Sequence, residues 1–167
     1  MKKGLVGLLC ALMLTFAAVP ALAAAPAKGA AVQKLPQYML SVNGKKVDLG
    51  TQKIVKIKNV VMVPLRITSE ALGCTVTWDA EKKAVRMDDG VWGTELIIGK
   101  DEYGKHSVNA IGLPVPQKLG VAPTIIGGSA YIPVDFYSKV LSGYPVSIKK
   151  NVIQISSPSI PQKPSFR

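Results

Sequence analysis

The stretch VVMVPLRITSEALG at residues 60–73 has a looser echo in SAYIPVDFYSKVLSG at residues 129–143, and this internal likeness limits what the chain can fold into. Pro64 recurs as Pro133, Leu65 as Val134, Ser69 as Ser138 and Leu72 as Leu141, each pair 69 residues apart. One inserted residue then sets Val76 against Val146 and Trp78 against Ile148 at a spacing of 70. A weaker echo sets SVNGKKV at 41–47 against SVNAIGLPV at 107–115. Self-similarity of this kind points to one supersecondary unit written twice. The expected copies run over about 39–88 and 106–156.

Each copy reads physically. In MLSVNGKKVDL the pair Asn43-Gly44 separates two β-prone runs, and both residues accept the positive φ of a tight hairpin. IVKIKNVVMVPL and TIIGGSAYIPV each place apolar strands around a polar or glycine turn, and the proline holds Val63 or Ile132 extended. Beyond the proline the apolar period lengthens. Leu65, Ile67 or Thr68, and Leu72 in one copy, and Val134, Tyr137 and Leu141 in the other, fall on one face of a short helix. Gly73 and Gly143 stand where a left-handed C-terminal cap is wanted. CTVTWDAEKKAVRM and YPVSIKKNVIQIS then alternate around polar turns, so each helix is followed by another hairpin. The unit is strand pairs, helix, strand pair.

Helices this short are marginal alone in water and must be held by packing. The positions that agree between the copies are the proline and the packing residues. Those that differ, Arg66 against Asp135 and Glu70 against Lys139, are polar and lie off the apolar stripe. What recurs is therefore an interior, not a reactive centre.

The chain opens with Lys2 and Lys3, an apolar run from Gly4 to Val19, and Ala21-Leu22-Ala23, the pattern of a secretory signal peptide over residues 1–23. Cleavage leaves 167 − 23 = 144 residues, enough for one domain and with no further membrane span. Residues 24–37, rich in Ala, Pro and Gly, read as a linker and 158–167 as a disordered tail, which leaves a folded part at 38–157. Loss of two lysines takes the formal charge from +11 to +9, carried by sixteen Lys and three Arg. That balance favours anionic surroundings outside the cell, such as wall polymer. So few guanidiniums argue against nucleic acid. Cys74 is then the lone thiol, unable to form an internal disulfide and expected in the core.

The run VMVPLRITSEALGCTVTWDAEKKAVRM resembles the copper amine oxidase N-terminal-like, or stalk, domain found in many exported bacterial proteins. VPLR, SEALG, VTWD and the preceding VNG hairpin carry the likeness, over roughly residues 39–156. It implies an α+β fold with antiparallel sheet units curved around short helices. It also implies an accessory module remote from any catalytic copper.

The residues agree that copper chemistry is out of reach. A catalytic copper wants several imidazoles and the chain has one, His106. Met39, Met62 and Met87 lie in apolar strands and read as core filling. His106 beside Asp101 and Glu102 reads as a solvated turn residue, and Cys74 with His106 is the sole thiol–base pair to consider for nucleophilic catalysis. A two-carboxylate hydrolase would draw on Glu95, Asp88, Asp89, Asp101 or Glu102, of which all but Glu95 sit in turn-like stretches. Gly127-Gly128 reads as a hairpin turn, not a phosphate cradle. No catalytic, metal or cofactor site is expected.

Binding surfaces remain. In TQKIVKIKN, Lys56 and Lys58 alternate onto one strand face, a basic strip for an anionic polymer or a guard on a strand edge. Trp78 and Trp92 are expected in the core or half-buried. The favoured reading is a secreted, non-catalytic binding or accessory module that adheres to anionic cell-wall polymer or to an extracellular protein. A secreted inhibitor or regulator of an extracellular hydrolase, using a loop such as DEYGKH at 101–106, is the alternative, and a carboxylate hydrolase the weakest.

Overall fold

The computed structural model describes residues 37–107 and 115–158. The signal peptide, all of the linker but Gln37, the tail beyond Pro158 and most of SVNAIGLPV lie outside the described residues. Among the described residues no helix is long and apolar enough to cross a membrane.

Tight turns set the local structure. Met39–Val42 (β1) and Lys45–Val47 (β2) reverse at Asn43 and Gly44, whose φ angles are 51° and 76°. Val55–Ile57 (β3) and Val60–Pro64 (β4) reverse at Lys58 and Asn59, φ 47° and 67°. Both central residues at positive φ make the turn whose twist matches that of the strands it joins. Leu65–Ala71 (α1) follows, then Thr75–Asp79 (β5), Ala84–Asp88 (β6), Trp92–Ile97 (β7) and His106–Ser107 (β8). Thr124–Ile126 (β9) and Ser129–Pro133 (β10) reverse at Gly127 and Gly128, and are followed by Asp135–Lys139 (α2), Val146–Lys149 (β11) and Val152–Ile155 (β12).

The strands form three four-stranded sheets, ordered β11-β12-β1-β2, β3-β4-β10-β9 and β5-β6-β7-β8. The architecture is α+β and mostly antiparallel. One pairing departs from the expected antiparallel sheets: β1 runs parallel to β12, with Leu40 beside Ile153 and Val42 beside Ile155. No local turn links strands so far apart in sequence. Burial of these four apolar side chains in one core holds the pair together.

The two helices end differently. At α1 the N–H of Gly73 donates to Glu70 and that of Cys74 to Ser69, both at 2.9 Å, with Gly73 at φ 89°. This is the paired cap that a residue free of Cβ allows. The matching role expected of Gly143 is taken by Ser142, at φ 49°. Lys105 compensates: its Nζ donates to the Leu141 carbonyl at 2.7 Å and to Ser142 Oγ at 2.8 Å, satisfying an end that the short helix leaves open.

The main core gathers Leu40, Val63, Leu65, Met87, Leu96, Ile132, Phe136, Tyr137 and Ile153 beneath all three sheets. Thr68, not Ile67, completes the buried stripe of α1. Ser69 Oγ and Tyr137 Oη share a hydrogen bond at 2.8 Å that ties α1 to α2 inside that core. On the opposite face of the β3-β4-β10-β9 sheet a second cluster forms from Val55, Ile57, Met62, Val121 and Tyr131. Full burial of each large side chain contributes about 1.5–3 kcal/mol, which is what holds helices too short to stand alone.

Candidate docking surface

Lys56 and Lys58 do not form a strip. Lys56 pairs with Val61 on the sheet face turned to the main core, whereas Lys58 occupies the left-handed turn and lines a depression with Ile57, Val121 and Ile126. The alternation that placed them together ends at Ile57, because the hairpin reverses one residue earlier than a longer strand would.

The candidate reacting groups are committed within the fold. Glu95 receives Arg86 Nε at 2.9 Å and Lys82 Nζ at 3.3 Å, while Arg86 also reaches Asp79 at 3.0 Å. Hydrogen bonding to Arg86 first, with help from Lys82, holds the Glu95 carboxyl below the usual carboxylate range against the opposing effect of burial, which ranks second. Such a group is a poor proton donor. Asp88 accepts from the Gly90 N–H, and Asp89 accepts from Val91 and Trp92 through one oxygen and from the Tyr144 hydroxyl through the other. Burial, then the Asp89 charge, pushes the Cys74 thiol up to about 11, so it stays protonated at neutral pH. His106 lies over Gly93 instead of Cys74, and a Cβ at position 93 would come within 2.9 Å of its Nε2. Among the described residues no three His, Cys, Asp or Glu side chains gather to hold a metal. Met62 and Met87 are core residues, but Met39 is exposed at the start of β1, against expectation. With one imidazole in the whole chain, the donor set does not fit a copper centre.

The DEYGKH segment is not a free loop. Asp101 accepts the N–H groups of Leu119 and Gly120 at 2.9 and 3.0 Å, one on each carboxylate oxygen. Tyr103 is fully buried, exchanges both backbone bonds with Gln117, and donates its hydroxyl to the Val121 carbonyl at 2.6 Å. Thr94 Oγ1 donates to the Gly104 carbonyl, and Gly99 N–H to that of Pro123. Burial pushes the Tyr103 phenol upward, with the Asp101 charge adding to it. Alternate residues Asp101, Tyr103 and Lys105 thus act as internal clamps, leaving Glu102 and His106 outward. No local stretch signals this, since every clamp joins the segment to residues distant from it in the chain.

Trp92 meets expectation, half-buried and edge-on to Tyr144 at 6.0 Å. Trp78 does not: it is 46% exposed. It lies opposite Val85 on β5, the edge strand of its sheet.

Among the described residues, the fold leaves open a strand edge beside a depression. Of the six sheet edges, β2, β3 and β11 carry lysine, the residue that commonly discourages edge-to-edge pairing. β8 has two residues, and α1 packs against β5. β9 reads Thr124-Ile125-Ile126, has no lysine, and exposes Ile125 by 47%. It borders a depression of about 540 Å³ lined by Ile57, Lys58, Val121 and Ile126, with Asp101 at its clamped rim. A larger groove of about 1270 Å³ lies between β1–β2 and the following loop, where Gln52 donates to Ser129 Oγ at 2.8 Å while its Oε1 is buried with no partner among the described residues. The strand beside that groove, β2, is guarded by Lys45 and Lys46.

A protein of Brevibacillus choshinensis described as a protease inhibitor is 29% identical over 109 residues, 65% of this chain. The chain spans 31% of that relative's length. The family model of the copper amine oxidase N-terminal domain matches residues 41–156, which takes in the described strands from β1 to β12. The chain belongs to the copper amine oxidase N-terminal domain family.

Proposed function

We propose that this chain is an exported, non-catalytic module that docks onto a protein partner, with extracellular proteases as the first class of partner. The observation that carries the reading is a contrast. Glu95, Asp88, Asp89 and Asp101 are tied into hydrogen bonds within the fold, with only Glu102 and His106 of the candidate reacting groups turned outward, while among the described residues an apolar strand edge beside a clamped segment is left open. The relative described as a protease inhibitor supports the partner class. The same reading takes the two hairpin–helix–hairpin stretches as copies of one unit that share packing residues. The register of β4 against β10 supports it, since Val63 faces Ile132 at the spacing of 69 seen in the sequence.

The test mixes the chain, recovered after secretion, with serine, cysteine and metalloproteases in turn. One class should lose turnover in proportion to added chain and co-elute with it. Full turnover and separate elution for every protease would remove the reading. Hydrolysis of a glycan by the wild-type chain, lost in Glu95→Gln, would restore the enzyme.

A second reading, adhesion to anionic wall polymer, rests on the charge of +9 left after signal cleavage and on Lys45, Lys46, Lys53 and Lys150, which are exposed without ion pairs among the described residues. Retention on purified wall that fades between low and high salt supports it, because exposed charges are screened beyond ~10 Å at 0.1 M salt. Retention indifferent to salt counts against it.

A further inference from the structure

We propose that the outer edge of β9 receives an extended, acidic and apolar segment of the partner protein as an added strand. The inference rests on the protein-docking reading above and specifies its mode.

The geometry supplies the backbone half of the site. Gly127 and Gly128 close a two-residue turn, with φ of 55° and 78°, so Ile126 and Ser129 form the hydrogen-bonded pair next to it. Antiparallel ladders alternate, so Thr124 bonds to Tyr131 and the intervening Ile125 does not bond to Ala130. The N–H and C=O of Ile125 therefore point away from β10 and are left open among the described residues, whereas the next outward carbonyl, that of Pro123, already accepts the Gly99 N–H. An incoming strand can satisfy both, as in other cases of strand addition. Because strand side chains alternate between faces, every second residue of that segment would stand over the 540 Å³ depression, whose apolar wall is Ile57, Val121 and Ile126.

Charge selects the occupant. Lys58 lines the depression and forms no ion pair among the described residues, while Asp101, whose two oxygens each accept a backbone N–H, keeps its own charge at the rim. An acidic side chain in the incoming segment finds an ammonium to pair with. A second copy of this chain fits badly, since pairing β9 with β9 would bring two Lys58 side chains together and join two chains that each carry a net charge of +9 after signal cleavage.

The probe is a blocked eight-residue peptide alternating valine and aspartate, with a valine–lysine peptide as its counterpart. Ile125→Pro removes the outward N–H while leaving every β9–β10 bond in place, the one strand setting that tolerates proline. Ile125→Lys installs the missing guard and serves if the proline variant fails to fold, with melting curves deciding which is read. Trp78→Ser is the control at another exposed apolar residue. The aspartate peptide should bind the wild type and Trp78→Ser alike, bind Ile125→Pro or Ile125→Lys at least tenfold more weakly, and outcompete the lysine peptide. The proposal is overturned if the aspartate peptide does not bind, if both Ile125 variants bind it as the wild type does, or if sedimentation shows a dimer that Ile125→Lys dissociates. The two readings fail separately. A protease held equally by wild type and Ile125 variants removes the edge and keeps protein docking, whereas Ile125-dependent peptide binding with no protease held keeps the edge and removes the inhibitor.

Discussion

Val63 of β4 lies directly opposite Ile132 of β10, and neither side chain is reached by solvent. On either side Met62 meets Pro133 and Pro64 meets Tyr131, so the two hairpins join back to back at the centre of one sheet. That joint carries Leu65 of α1 and the packing residues of α2 into a shared core.

Truncating Ile132 to Ala should cost about 3–4 kcal/mol, and Val63 to Ala about 2 kcal/mol, through lost burial and an unfilled cavity. Because the two side chains share one space, the double variant should lose less than the sum. Urea unfolding followed by circular dichroism measures all three. Full additivity would mean that the two residues do not pack on one another.

The two helix caps give opposite expectations. Gly73 sits at φ 89° with open space around the missing Cβ, so Gly73→Ala should cost about 1 kcal/mol from backbone conformation alone. Ser142, at φ 49°, already bears that strain, and Ser142→Gly should relieve up to about 1 kcal/mol less the bond its hydroxyl makes with Lys105. Thermal melting of both variants checks the sign. A gain on Gly73→Ala would contradict the cap.

The asymmetry marks how far the sequence could be read. Local chemistry was legible: Asn43-Gly44 and Gly127-Gly128 turn as expected, Pro64 ends a strand, and Gly73 ends a helix. Gly143 does not take the cap because a one-residue shift in the shorter α2 moves the left-handed position to Ser142, a difference that periodicity does not resolve. The parallel β1–β12 pairing is not legible, since it joins Leu40 to Ile153 over a distance no turn spans. Lys58 was assigned to a strand face on alternation alone, although its Asn59 neighbour was itself a turn signal. The open β9 edge follows from sheet order, which no single stretch of sequence states.

Asp101 clamps the segment that borders the candidate surface, accepting two N–H groups from Leu119 and Gly120. Asp101→Ala leaves both donors without their acceptor, and bonds to a charged group are worth about 1.5–3 kcal/mol. The expected result is local: amide exchange at Leu119 and Gly120 should quicken by at least tenfold while β4 and β10 keep their protection. Uniform loss of protection would show instead that the clamp supports the whole fold.

Alkali should destabilise the protein through groups that burial keeps protonated. Cys74 has its folded value pushed from 9.0 to about 11, and burial likewise raises the phenols of Tyr103, Tyr137 and Tyr144. An acid whose value rises on folding contributes stability that is complete below its unfolded value and is lost as pH climbs toward the folded one. The unfolded chain releases the Cys74 proton from about pH 9 while the folded chain keeps it, so stability should be level from pH 6 to 8 and fall above 9. By pH 10 the thiol alone accounts for about 1.4 kcal/mol, one unit of difference in proton affinity. Cys74→Ala should be less stable at pH 7, because it leaves a cavity, yet show a shallower decline between pH 8.5 and 9.5, before the tyrosines take over. Urea midpoints at half-unit intervals separate the two effects. An unchanged slope in the variant would place the origin of the alkaline loss elsewhere than Cys74.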